Sequence, residues 1–151
     1  MRVERKERVV SETASRHTPV MLGRCVELLS PALTAPGAVA IDATLGMGGH
    51  SEALLNAHPQ LTVVGIDRDR DAIALASARL AFAGDRFASF HGTYDDIDGA
   101  LAVVGARRVD AILFDLGVSS LQLDEDDRGF AYSRDAPLDM RMNRDDPVTA
   151  A

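Results

Sequence analysis

"IDATLGMGGHS", Ile41 to Ser51, decides how the rest of the chain is read. Apolar residues run into an acid, Asp42, and Gly46, Gly48 and Gly49 follow within four positions. A strand that ends in such a turn lets backbone come close to a ligand or to a neighbouring element. Outward from it the pattern alternates. "AVAID" (38–42), "LTVVGID" (61–67), "RFASFHG" (86–92) and "VDAILFD" (109–115) read as buried strands. "SEALLNAH" (51–58), "RDAIALASARLA" (70–81) and "DDIDGALAVVG" (95–105) read as the helices between them. Strand and helix in alternation predict an α/β fold, a parallel doubly wound sheet. Such sheets bind ligands beyond the carboxyl ends of their strands, where Asp42, Asp67 and Asp115 would converge.

"GMGGHS" fits the dinucleotide fingerprint G-x-G-x-x-G only with Ser51 in the last place. Alone, that is a weak signal, because a tight strand-to-helix turn needs the same glycines. Asp67, at the end of the next strand, is placed to accept hydrogen bonds from ribose hydroxyls. Asp42, just ahead of the turn, is a poor neighbour for a pyrophosphate and suits a positive amino group. The spacing therefore favours S-adenosylmethionine, which carries a ribose and an ammonium but no phosphate. A nicotinamide-dependent oxidoreductase and a non-catalytic cofactor- or RNA-binding fragment are the rival readings.

Composition sets the outer bounds. The chain has 151 residues, 46% hydrophobic and 26% charged, which suits one folded domain rather than a disordered tail. No apolar run reaches the roughly 18 residues of a membrane span. The first residues lack the apolar core of a secretory signal. One cysteine, Cys25, excludes an internal disulfide and fits a reducing, cytoplasmic setting. A net charge of −7 argues against a surface that grips nucleic acid everywhere. Residues 1–16 read as a polar tail. "HTPVMLGRCVELLSPAL" (17–33) reads as a helix capped by Thr18, with Pro19 at its first position and Met21, Leu22, Cys25, Leu28, Leu29 and Ala32 on one apolar face. His58 and His91 have no partners at metal-ligand spacing, and no metal is expected.

"HTPVML", "DATLGMGGHS", "GIDRD" and "DLGVSSLQLDEDDRGFAYSRDAPLDMRMN" together resemble the bacterial small-subunit ribosomal RNA (cytosine-N4)-methyltransferases, the RsmH/MraW family. The resemblance runs from about His17 to the end, and its last stretch is long and specific. It implies a class I, Rossmann-like methyltransferase fold, an S-adenosylmethionine cofactor, and a cytosine of the small ribosomal subunit's decoding region as substrate. Carried over motif by motif, the family's cofactor contacts fall on Gly48, Gly49, His50, Asp67, Tyr94, Asp115 and Gln122. Asp115 is the residue expected to serve methyl transfer. It stands where many amino-methyltransferases carry an acid, Asn or Ser followed by two prolines; "DLGV" keeps the acid and lacks the prolines.

Two further expectations concern the C-terminal third. Between Asp115 and Asp146, nine acids stand against four arginines. This tract is expected to be an ordered loop anchored by Phe130, Tyr132, Pro137, Leu138 and Met140, leaving Arg128, Arg134 and Arg141 to touch RNA phosphates. "DDPVTAA" reads as a helix start with Asp146 as cap. Residues 17–151 would then be the N-terminal part of a methyltransferase domain, cut after the fourth of about seven strands and inactive alone.

Overall fold

The computed structural model describes residues 19–133 and 135–151. The expected tail, His17, the cap at Thr18 and Arg134 lie outside the described residues. Four strands, β1 (Val39–Asp42), β2 (Thr62–Asp67), β3 (Phe87–His91) and β4 (Ala111–Leu113), form one sheet in the order β3-β2-β1-β4. Every pairing is parallel. The chain winds outward from β1 to β3, then returns to place β4 on β1's other side, so the topological switch lies between β1 and β4.

The helices are α1 (Leu22–Leu29), α2 (Gly49–Ala57), α3 (Arg70–Arg79), α4 (Ile97–Val103) and the short α5 (Ser120–Asp124). Two apolar layers sandwich the sheet. Leu54 and Leu55 of α2 and Ala76 of α3 pack with Ala40 and Val63 on one face. Ala100 and Leu101 of α4 pack with Ile41, Val64 and Ile66 on the other. Alternate residues of β1 and β2 thus point into opposite layers, which is why both strands read as continuous apolar runs. Gly65 in β2 is required by packing, since a Cβ there would lie 2.5 Å from Leu45 Cδ1. Leu45 folds over β2 and donates its backbone N–H to Ile66 O at 2.9 Å.

The structure corrects the first helix. It begins at Leu22, not at Pro19, with Met21 in a left-handed conformation at its cap. Its inward side is Val26 and Leu29, continued by Leu33, while Met21, Leu28 and Ala32 are exposed. Cys25 is only partly buried. β4 is three residues rather than seven, because its sole partner among the described strands, β1, is itself only four long. At its entry the Asp110 side chain accepts from Val39 N at 2.8 Å. The "DDPV" segment forms no helix.

Candidate cofactor and active site

The strand ends meet at one rim. β1 ends in Asp42, β2 in Asp67, and Asp115 follows β4 by two residues. Thr44, in the turn after β1, accepts Asp115 N on its Oγ1 at 2.7 Å, which ties the β4 exit to the glycine turn. The turn is shaped by Gly46 (φ 50°) and Gly48 (φ 77°), both in the left-handed region that other residues enter at a cost. Gly48 also brings two helices together: a Cβ there would sit 3.1 Å from Leu80 and 3.2 Å from Ala76. At Gly49 a Cβ would overlap Pro19, 2.4 Å away. The missing side chains at Gly48 and Gly49 thus admit protein neighbours on those sides, and their backbone forms the start of α2.

Asp42 is buried and both its oxygens are engaged. Ser51 donates to one at 2.8 Å and Thr44 N approaches the other at 3.3 Å. It holds the turn from behind rather than facing outward to meet an ammonium. Asp67 is only half-buried. It accepts Gly46 N on one oxygen at 2.8 Å and Asp69 N on the other at 2.9 Å. Each oxygen keeps a lone pair, so the carboxylate can still receive two ribose hydroxyls.

His50 is buried at the start of α2. Its Nε2 lies 3.2 Å from Val20 O and its Nδ1 3.9 Å from Asp115 Oδ2. The Asp115 side chain is half exposed. Tyr94, past β3, makes an edge-to-face contact with Phe114, past β4, at 6.1 Å between centroids. Since β3 and β4 are opposite edges of the sheet, this pair bridges the rim. Gln122 is buried in α5 and closes a reciprocal cap: Ser119 Oγ accepts Gln122 N while Gln122 Oε1 accepts Ser119 N. Its amide reaches Asp69 at 3.4 Å.

A model of the MraW methylase family matches residues 14–151. The chain belongs to this family. A Saccharopolyspora erythraea protein named ribosomal RNA small subunit methyltransferase H is 63% identical over 136 residues, covering 90% of this chain and 41% of that protein. A Streptomyces avermitilis protein of the same name is 57% identical over 137 residues, covering 91% of this chain and 43% of that one. The chain therefore spans about two-fifths of the length of these relatives. An rRNA methylase structure from Streptococcus thermophilus superposes with a TM-score of 0.53 at 20% identity, over 67% of this chain and 57% of that chain. A Clostridium thermocellum structure gives 0.55 at 23%, over 68% and 54%. The likeness bears out the Rossmann-like methyltransferase fold.

In this MraW-family chain, sequence reasoning missed Asp69 and gave Arg128 the wrong role. Arg128 is fully buried and pairs with the Asp69 carboxylate; its Nη2 also donates to Met142 O at 2.9 Å. It is not open to an RNA phosphate. Arg141 is engaged by Asp139 at 2.7 Å and by two carbonyls. That hydrogen bond holds the Asp139 carboxyl down at about 2. Of the apolar anchors expected in the acidic tract only Phe130 is partly buried; Tyr132, Pro137, Leu138 and Met140 are exposed. Arginine–carboxylate pairs hold the tract instead, among them Arg144 with Glu125 and Arg70 with Asp145, each at 3.0 Å. Only the i, i+3 pattern Ser119–Gln122 announced part of this in sequence, as a capping box. Among the described residues no group of His, Cys, Asp or Glu forms a metal site, and no helix is long and apolar enough to cross a membrane.

Burial pushes the carboxyls of Asp42 and Asp67 above their ordinary value of 3.8, against the hydrogen bonds that oppose it. A carboxyl raised on folding binds protons more readily in the folded state. Each group's contribution to stability therefore falls as pH rises from its unfolded value through its folded one. Asp42→Asn keeps an acceptor and removes the charge. Urea unfolding from about pH 4 to about pH 7 is expected to show a shallower decline in the variant than in wild type. Equal slopes would remove Asp42 as a source.

Proposed function

We propose that the protein is the N-terminal, cofactor-binding part of a ribosomal RNA methyltransferase. The complete enzyme would transfer a methyl group from S-adenosylmethionine to the exocyclic N4 of a cytosine in small-subunit ribosomal RNA, in the cytoplasm. Family membership supports the reaction class, and the observation that carries the site is the rim where Asp67 and Asp115 flank the glycine turn. The donor set fits this cofactor. Asp67 offers lone pairs to two ribose hydroxyls, and the half-exposed ring of Tyr94 offers a face to adenine. The first backbone N–H groups of α2, at Gly49 and His50, offer donors to a carboxylate. Gln122, through Asp69, braces the loop that carries Asp67's neighbours.

When bound, S-adenosylmethionine supplies an electrophilic methyl group on a sulfonium. The N4 amine is a weak nucleophile because its lone pair is delocalised into the ring. Asp115, at the rim beside the turn, accepts a hydrogen bond from the amino group and orients its lone pair. The cytosine must leave any stack to arrive there.

Calorimetry on the complete protein tests the cofactor. S-adenosylhomocysteine should bind and NAD should not. Asp67→Ala should weaken binding about tenfold or more, since hydrogen bonds to a charged acceptor contribute roughly 1.5–3 kcal/mol. Unchanged affinity in a folded Asp67→Ala protein would sink the assignment. Methyl transfer to isolated small ribosomal subunits tests the substrate.

A further inference from the structure

The contact between His50 and Asp115 has a definite chemical sense. Val20 O can only accept a hydrogen bond, so the Nε2 beside it at 3.2 Å carries the ring's hydrogen. The neutral ring then turns a bare Nδ1 lone pair toward the Asp115 carboxylate, 3.9 Å away. Two acceptors facing each other gain an attractive contact as soon as one proton enters between them. His50 is buried and fixed by Val20, whereas Asp115 is half exposed and can move the last ångström or so to a hydrogen bond. The other charges near His50 are accounted for. Asp42, buried at the end of β1, acts on it electrostatically from behind. Glu52, two residues on in α2, is neutralised by Arg79 of α3 at 2.6 Å.

We propose that His50 is a positioning residue that takes up, through Asp115, the proton released by the methylated amine. This deepens the methyltransferase reading and rests on it. Once methylated, N4 carries one proton more than the neutral product. The N–H bond breaks, its electron pair stays on nitrogen, and the proton passes to an oxygen of Asp115. From there it moves to Nδ1 of His50, whose Nε2–H stays on Val20 O, and it leaves to water when the product departs. With the proton passed to Nδ1, the Asp115 oxygen is again free to accept from the next amine.

Two measurements on the complete protein test this. In the first, ring-nitrogen NMR of histidine-labelled protein, with no cofactor or RNA, should show His50 as the Nε2–H form, and its protonation should change when Asp115 becomes Asn. An Nδ1–H form, or protonation indifferent to Asp115→Asn, overturns the pair. In the second, the single-turnover methylation rate is followed against pH. His50→Gln keeps a donor for Val20 O and loses the titrating nitrogen. Measured at saturating cofactor and RNA, its plateau rate should fall about tenfold or more and its pH profile should change. A wild-type rate and profile in His50→Gln overturns the proposal. If the wild-type enzyme methylates no small subunit, the substrate reading fails, and the NMR arm still decides the pair.

Discussion

Arg128→Met is expected to lower the free energy of unfolding by about 3–5 kcal/mol, the usual cost of leaving one member of a buried ion pair alone. Arg128 and Asp69 are each 2% exposed. Asp69 has other duties: it caps α3 by accepting Asp71 N at 3.0 Å, and its backbone N–H donates to Asp67. Without the guanidinium its carboxylate keeps only the Gln122 amide at 3.4 Å and that cap. The same change releases Met142 O, one of the ties between the C-terminal tract and the loop after β2. The pair itself is no large source of stability, because Arg128 Nε and Nη1 are buried without hydrogen-bond partners. Arg128→Met with Asp69→Asn should therefore recover a good part of the loss, since the amide keeps the capping oxygen and removes the charge. Urea unfolding of the complete protein measures both. A single variant within about 1 kcal/mol of wild type would show that the pair is not buried in solution.

Asp115→Ala should reduce single-turnover methylation by a factor of about 10²–10⁴ at saturating cofactor and RNA, the range for loss of a positioned proton acceptor. The fold should tolerate it. The side chain is 51% exposed, and the tie that fixes the β4 exit runs from the backbone N–H to Thr44 Oγ1. Asp115→Asn should fall between the two, as an amide oxygen can orient the amine but does not take its proton. A wild-type rate in Asp115→Ala, with folding confirmed by thermal melting, would reduce Asp115 to a bystander at the rim.

Much of the fold was legible because burial on both faces leaves a plain trace. β2 is "TVVGID" and could hardly be anything but a central parallel strand. The three acids were legible as strand-end residues, since each interrupts an apolar run where a parallel strand must stop. Their division of labour was not. Asp42 and Asp67 look alike in sequence, yet one is buried under Ser51 and the other keeps a face to solvent. That difference depends on where α2 starts, which Gly48 and Gly49 set by admitting α3 and Pro19.

By itself, then, the sequence determined the α/β alternation, the glycine turn, the acids at the rim and the family, because these rest on local pattern and on motifs contiguous in the chain. Tertiary structure alone decided the contacts between distant segments. Arg128 meets Asp69 across 59 positions, and Val20 O fixes a His50 that lies 30 positions on. A buried arginine and an exposed one are spelled with the same letter. Only the partner that packing brings to each determines whether its charge is turned inward to hold a loop or outward to meet a ligand.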